Sequence, residues 1–282
     1  MLKVFGFVRR NKQLSHDDYR AAHVGYHNSF GRRLNNIRGY VLNVRANRSV
    51  AESLGPLANR LTRGEPAGFD ELWDGWGQLM FDTLDDYLAA RSPARDRARP
   101  EGLAEDPKVA QVGGDGAYLY TGSPFQFHVV EHVSMPVRRP ERKIFKLVQF
   151  AKRPDNLSPE EFRAYWSGRY AAHVAQLPGL RGHIVNFRTP LDVMTGFFPP
   201  DADAFTAEGT AVRETFYSAW DGMAELWFDN PQQFAEARSG GDLGAALDDL
   251  EDGLFASVFY REVDETIAVL PKRDPAPPFY HR

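Results

Sequence analysis

The chain of 282 residues contains no cysteine. This absence excludes disulfide bonds, thiolate catalysis, zinc–thiolate sites and iron–sulfur clusters. No apolar run approaches the roughly 18 residues that a membrane-spanning helix needs, and the formal net charge of -4 gives no general attraction to nucleic acid. A strand-like pattern begins at Val4, where a signal peptide would have its apolar core. We therefore expect a cytoplasmic protein that binds neither membranes nor nucleic acids.

Two catalytic motifs are also missing from the sequence. No glycine-rich loop stands between a strand and a helix, as a phosphate-binding loop would, and no G-x-S-x-G nucleophile elbow occurs. Aromatic side chains, in contrast, are abundant, with 20 Phe, 11 Tyr and 5 Trp. Such residues can line an apolar ligand pocket, although large cores use the same side chains.

The first part of the chain is repeated in its second half. Residues 2–45 (LKVFGFVRRNKQLSHDDYRAAHVGYHNSFGRRLNNIRGYVLNVR) align without a gap with residues 145–188 (FKLVQFAKRPDNLSPEEFRAYWSGRYAAHVAQLPGLRGHIVNFR). A weaker match follows, in which both copies contain W-D-G and then L-x-F-D. An internal repeat predicts two copies of one architecture.

Each copy predicts the same order of secondary structure. After a first strand of alternating apolar residues, Ser15 or Ser158 caps a helix whose first turn is acidic. A second strand, the W-D-G strand, a short helix and a closing strand follow, which is the β-α-β-β-α-β order of a ferredoxin-like unit. Each sheet would have one bare face to bury. We therefore predict an α+β fold of two tandem ferredoxin-like repeats, residues 1–138 and 139–270, enclosing a central cavity and followed by a tail at 271–282.

Three stretches of the chain carry a resemblance to a known family. They are residues 158–166 (SPEEFRAYW), residues 177–183 (LPGLRGH) and residues 131–133 (EHV). These stretches resemble the EthD family of the dimeric α+β barrel superfamily. The resemblance implies dimeric α+β barrel architecture and a homodimer, and it places His27 at the family's histidine position. It also implies a range of activities, because the superfamily includes cofactor-free monooxygenases, lactone isomerases, polyketide cyclases, dehydratases and haem enzymes.

At four aligned positions one copy has a histidine and the other copy has a different residue. The pairs are His23 with Trp166, His27 with Tyr170, Tyr40 with His183, and His132 with Thr266. His23 and His27 lie one helical turn apart on one face. We predict that His27 and His23, with His132 from the closing strand, act as general acids and bases, and that Tyr40 stabilises an oxyanion.

Further residues are candidates for contact with a ligand. They are His128, Tyr118, Tyr120, Trp76, Phe197 and Phe198. Core packing is the alternative for the aromatic residues, and a satisfied surface hydrogen bond is the alternative for the histidines. Two long segments interrupt the repeat at residues 92–125 and 191–216, and the second contains the stiff apolar run 196–200 (GFFPP), a candidate lid or a packed surface loop. Closing strands are predicted at 125–133 and 263–270.

Metal binding is a second use for the helix histidines. The spacing His23-x-x-x-His27 suits two ligands, but a third would have to come from His132, Glu131 or Asp74. A haem would need one axial histidine, His173 or His132. Neither alternative has a further sequence signature, so we predict no metal and no cofactor.

The favoured function is a cofactor-independent lyase or isomerase, of the dehydratase or cyclase kind, with a small-molecule substrate. The substrate would be hydrophobic, oxygenated and aromatic or polyketide-like. Cofactor-free oxygenation of an aromatic substrate is the first alternative. A non-catalytic small-molecule binding protein is the second.

Overall fold

Eight antiparallel strands form a closed barrel in the described part of the chain. The computed structural model describes residues 1–32, 34, 36–90, 116–140 and 142–272. The strands are β1 (Leu2–Val8), β2 (Gly39–Arg45), β3 (Gly75–Phe81), β4 (Phe125–Met135), β5 (Phe145–Lys152), β6 (Gly182–Arg188), β7 (Gly222–Phe228) and β8 (Ser257–Val269). Their order around the barrel is β1-β3-β2-β8-β5-β7-β6-β4. The barrel therefore closes within one chain, and the predicted α+β barrel is confirmed.

The strand register establishes which residues of the two halves are equivalent. Gly6 of β1 lies opposite Gly77 of β3 and Gln126 of β4. Gln149 of β5 lies opposite Ala224 of β7 and Tyr260 of β8 in the same arrangement. Gly6 thus corresponds to Gln149, and Gln126 corresponds to Tyr260. The β2–β8 and β4–β6 pairs join the two halves.

Helices cover the outside of the barrel. They are α1 (α-helical His16–Ala21, π-helical Ala22–His27 and α-helical Asn28–Gly31), α2 (Val50–Leu54), α3 (Leu57–Thr62), α4 (Leu84–Ala89), α5 (Gly116–Leu119), α6 (α-helical Pro159–Tyr165, π-helical Trp166–Tyr170 and α-helical Ala171–Val174), α7 (Ala207–Ser218), α8 (Pro231–Ser239) and α9 (Gly241–Leu254). Ser15 and Ser158 cap α1 and α6 as predicted, each accepting a hydrogen bond from the backbone three residues later. None of the described helices has the length and apolar character needed to cross a bilayer.

Three elements of the second half differ from the prediction. The closing strand β8 begins at Ser257 rather than at 263. Residues 191–216, predicted as a loop, contain the start of α7, and α9 was not predicted. Most of the first predicted insertion, residues 92–115, lies outside the described residues, as do 273–282 of the tail.

Aromatic side chains fill the barrel interior, so the predicted central cavity is wrong. Successive residues of a strand point to opposite faces, which turns Phe5 and Phe7 of β1 inward. The Phe7 ring stacks on Trp76, with centroids 5.0 Å apart, and on Phe127 at 5.7 Å. Phe150 of the second half lies 6.3 Å from Phe7. Each such ring buries a large area, and together they occupy the space between the two half-barrels.

A buried charged cluster shares the interior with these rings. Lys146 Nζ lies 2.6 Å from Glu225 Oε2, and Lys3 Nζ lies 3.7 Å from Glu225 Oε1. Each lysine also contacts a further glutamate and an asparagine: Glu131 and Asn186 for Lys3, and Glu265 and Asn43 for Lys146. Burial alone would raise the pKa of Glu225, but the two lysines lower it to about 2. The cluster is nearly two-fold symmetric, with Gln78 at the position equivalent to Glu225.

Candidate active site

A cavity of about 410 Å³ lies in the first half, between α1 and the outer face of the sheet. Its wall combines helix, strand and loop residues. These include Gly6, Val8, His23, His27, Gly31, Leu34, Tyr40, Gly77, Leu79, Phe81, Tyr87, Tyr120, Ser123, Gln126, Phe197, Phe198 and Asp203. The volume suits a drug-sized molecule, and most of the lining is apolar with a few polar groups. The predicted residues His23, His27, Tyr40, Tyr120, Phe197 and Phe198 all line this cavity.

Three aromatic rings of α1 form a stacked column on its inner face. His23 lies between Tyr19, with ring centroids 5.2 Å apart, and His27, with centroids 5.3 Å apart and planes 10° from parallel. Both histidines belong to the π-helical segment Ala22–His27, whose wider turn brings residues four apart nearly into line. The prediction that these histidines share one face of the helix is confirmed.

His23 is a buried imidazole. Its Nδ1 lies 2.8 Å from Tyr120 Oη, and its Nε2 has no hydrogen-bond partner among the described residues. Loss of solvent, together with the neighbouring His27, lowers the pKa of His23 well below its usual value. The tautomer of His23 depends on Tyr120: if the hydroxyl donates to Nδ1, Nε2 carries the proton, and if it accepts, Nε2 is the base.

Two glycines position Tyr40. A Cβ atom on Gly31 of α1 would overlap the Tyr40 ring, and a Cβ on Gly77 of β3 would lie 3.2 Å from its Cε2. The ring therefore lies between helix and sheet only because both neighbours lack a side chain. Tyr40 is 3% exposed and presents its phenol group at the cavity wall.

Gln126 and Tyr87 are polar cavity residues that were not predicted. Tyr87 Oη donates to Gln126 Oε1 at 2.6 Å. Gln126 Nε2 lies 3.9 Å from the place that a Cβ on Gly6 would occupy. The available signal was the difference between copies, because Gln126 is replaced by Tyr260 and Gly6 by Gln149.

A loop of the second half covers the cavity of the first. Phe197 stacks on Tyr87 with centroids 4.7 Å apart and planes 8° from parallel, and Phe198 packs edge-on to Phe197 at 5.1 Å. The apolar run predicted as a lid thus lies against the cavity, although it belongs to the other half of the chain.

The remaining predicted site residues lie elsewhere. Trp76 is in the aromatic barrel interior, because its strand turns it inward. Tyr118 is 70% exposed on α5. His128 lies 2.7 Å from Thr189 Oγ1, and His132 lies further along β4, beside the buried His183. Neither histidine of β4 lines the cavity, and His132 lies opposite Val185 of β6.

Within the described residues, none of the predicted third metal ligands reaches His23 and His27. Glu131 contacts Lys3, and Asp74 accepts a hydrogen bond from the Arg10 backbone at 2.7 Å. Among the described residues, no group of three or more His, Cys, Asp or Glu is arranged to hold a metal ion. His173, the candidate haem ligand, lies on the second half and contacts the Arg169 carbonyl at 2.8 Å.

The family resemblance can be compared with these positions. Residues 154–249 match the EthD domain. This confirms the resemblance to the EthD family for the second half of the chain. The cavity, however, lies in the first half, where the equivalent positions carry different side chains. The EthD match therefore supports the fold but does not identify the candidate site.

Three solved structures are similar to this chain over nearly its whole length. A Fusobacterium nucleatum protein provisionally named a monooxygenase has 8% sequence identity and a TM-score of 0.54, with 98% of this chain and 97% of that one covered. A protein from Lactobacillus acidophilus with the same provisional name has 9% identity, a TM-score of 0.49 and coverages of 96% and 97%. An anthrone oxidase-like protein has 11% identity, a TM-score of 0.49 and coverages of 98% and 96%. No curated protein matches the chain. At 8% identity the Fusobacterium nucleatum structure supports the fold alone, and nothing about the reaction follows.

Proposed function

We propose that this protein is an enzyme that transfers protons on a hydrophobic, oxygenated small molecule, aromatic or polyketide-like, bound in the cavity of the first half. The observation that carries the proposal is the stacked pair His23 and His27 in the wall of a largely apolar cavity. His23, whose Nε2 has no hydrogen-bond partner among the described residues and whose burial disfavours the protonated ring, is suited to act as the general base.

The proposed roles follow from the position of each group. One imidazole removes a proton from a carbon next to a substrate carbonyl, and the phenol of Tyr40 donates a hydrogen bond to the enolate oxygen. The other imidazole returns a proton, either to a different carbon or to a departing hydroxide. Tyr120 holds His23 in one tautomer, and the Phe197 loop keeps water away from the enolate.

The reaction class that we propose is that of a lyase or isomerase. The same enolate could instead react with O₂, which would make the protein a cofactor-free monooxygenase. The strand order within each half supports our further proposal of two tandem ferredoxin-like repeats, residues 1–138 and 139–270. A homodimer and a cytoplasmic location stay predictions.

The test is turnover by wild type and by a His27→Ala variant. A panel of phenolic and polyketide-like compounds is incubated with each protein, with products followed by mass spectrometry and O₂ by electrode. We expect wild type to convert at least one compound without O₂ uptake, and His27→Ala to lose roughly 100-fold or more of that rate. The matched control is His173→Ala, which removes a surface imidazole from the equivalent helix.

Each contrary result points to a different correction. Stoichiometric O₂ uptake would replace the lyase with the monooxygenase. Full activity in His27→Ala would remove the histidine pair from the mechanism. Binding without turnover of any compound, weakened only a few-fold in the variant, would identify a non-catalytic binding protein.

A further inference from the structure

The second half contains a filled version of the cavity. Gln149 lies where the first half has Gly6, and its side chain is completely buried. Gln149 Nε2 donates to Tyr170 Oη at 2.6 Å and to Tyr260 Oη at 2.7 Å. The two hydroxyls in turn donate to Glu251 Oε1, at 2.8 Å and 2.7 Å. A polar group above this strand position therefore reaches both the helix and the neighbouring strand.

In the first half, the residues equivalent to the two tyrosines that bind this amide line the cavity. Tyr170 corresponds to His27, and Tyr260 corresponds to Gln126, and both of these residues line the cavity together with Gly6. A Cβ atom on Gly6 would meet Gln126 Cγ at 3.7 Å, which is an ordinary contact. Gly6 is thus not required by crowding, and its effect is to leave empty the volume that Gln149 fills in the other half.

The hydrogen-bond donors and acceptors of the subsite are reversed between the two halves. In the second half the inserted group is an amide donor, and the surrounding hydroxyls accept. In the first half Gln126 Oε1 already accepts from Tyr87, so Nε2 is the group left to face a ligand. A ligand atom above Gly6 must therefore be a hydrogen-bond acceptor. No lysine or arginine is among the described lining residues, and Asp203 is, which disfavours an anionic ligand.

We infer that Gly6 and Gln126 form a subsite for a neutral carbonyl oxygen, so that the ligand of this cavity is an aromatic ketone, aldehyde or quinone. The inference rests on the proposed function, because it takes the cavity as the substrate site. Gln126 is a specificity-determining residue in this arrangement, and Tyr87 fixes the orientation of its amide. His27 lies on the other side of the same oxygen, at the position that Tyr170 holds in the second half.

The experiment compares two probes that differ only in the carbonyl group, 1-tetralone and tetralin. Their binding to the full-length protein is measured by ligand-detected NMR. We expect wild type to prefer the ketone roughly tenfold, the effect of one good hydrogen bond. Gln126→Met, which keeps the volume, should bind both probes equally, and Tyr87→Phe should reduce the preference. Gly6→Gln should lose both probes, and Gly25→Ala, whose Cβ meets nothing within 4 Å, is the control.

Folding of the Gly6→Gln variant is checked by its thermal melting curve, and Gly6→Ala replaces it if it does not fold, with a smaller loss of both probes expected. If ketone and hydrocarbon bind wild type equally, the carbonyl subsite is wrong, although the proton-transfer proposal still stands on the His27→Ala result. If neither probe binds wild type, the inference is wrong and the cavity is not an aromatic site, which also contradicts the proposed function. A ketone preference that persists in Gln126→Met would assign the oxygen to another residue and overturn the inference.

Discussion

The hydroxyl of Tyr120 lies 2.8 Å from Nδ1 of His23, although 97 residues separate them in the chain. The Tyr120 ring also packs edge-on to both His23 and His27, with centroids 5.8 Å and 5.6 Å away. One residue therefore contacts both imidazoles of the candidate dyad. It holds the buried ring of His23 through a hydrogen bond and restricts both rings by packing.

Replacing Tyr120 by Phe keeps the packing and removes the hydrogen bond. Because the Nδ1 atom of His23 would then be buried without a partner, we expect a loss of about 1–3 kcal/mol in the free energy of unfolding, measured by urea denaturation. We also expect turnover to fall at least roughly tenfold, since the tautomer of His23 is no longer set. Tyr118→Phe is the control, because Tyr118 is exposed two residues away. Equal effects of the two variants would contradict the role given to Tyr120.

His183 makes the stability of the fold sensitive to acid. Burial, and then the neighbouring His132, lower the pKa of His183 to about 3. Between pH 3 and the unfolded value near 6.5 the unfolded chain binds a proton that the folded chain does not, so stability falls as the pH falls. We expect this site alone to contribute a slope of about 1.4 kcal/mol per pH unit within that window.

His183→Gln tests this slope, because glutamine does not titrate. Urea denaturation at pH 7 and at pH 5 should show a smaller loss of stability in the variant than in wild type. His173→Gln, which replaces a histidine near the surface, should keep the wild-type loss. An unchanged pH dependence in His183→Gln would show that other groups cause it.

Phe197 should contribute to ligand affinity rather than to chemistry. Its ring closes the cavity by stacking on Tyr87, and Phe197→Ala would open that wall to water. We expect KM to rise roughly three- to tenfold with a smaller change in kcat, measured on the best substrate of the panel. Phe205→Ala, in the same loop at a more exposed position, should leave KM unchanged. A fall in kcat alone would place Phe197 in the reaction step instead.

The repeat made much of the fold predictable. The repeated apolar patterns placed all eight strands, although β8 begins earlier than predicted, and the caps at Ser15 and Ser158 placed the start of both long helices. The strand register agrees with the predicted equivalence of His132 and Thr266. Phe127 lies opposite Phe5, and Arg261 lies opposite the equivalent residue Val148, so Phe127 corresponds to Arg261 and, five residues later, His132 corresponds to Thr266. These features depend on local sequence, which is why one chain suffices to predict them.

The shape of the site was less predictable. Alternation along β1 indicates which residues share a face, but not which face is filled by rings and which borders a cavity. Gln126 was missed because a glutamine in a strand has no distinctive local pattern. Phe197 reaches the first half only through the closed barrel, a long-range relationship that the spacing of residues does not encode.

The charged interior gives a last prediction, based on the near symmetry of Lys3 and Lys146. Glu225 contacts both lysines and accepts from Gln78 Nε2 at 2.8 Å. Glu225→Gln would leave two buried ammonium groups with one carboxylate fewer, so we expect a loss of about 3–5 kcal/mol in unfolding free energy at pH 7. The pKa of Glu225 is lowered to about 2, so its contribution is present above pH 4.5 and declines towards pH 2, and the variant should lose that part of the pH dependence.

Exchanging the two residues separates charge from position. Gln78→Glu combined with Glu225→Gln keeps one carboxylate and one amide in the interior but moves the carboxylate to the equivalent strand. Since each lysine has a glutamate and an asparagine at equivalent places, the double variant should recover at least half of the stability that Glu225→Gln loses. Denaturation of the single and double variants at pH 7 measures this coupling directly. If the double variant is no more stable than Glu225→Gln, the two halves of the barrel are not interchangeable electrostatically, and the asymmetry of Gln78 and Glu225 is required by the packing around each side chain.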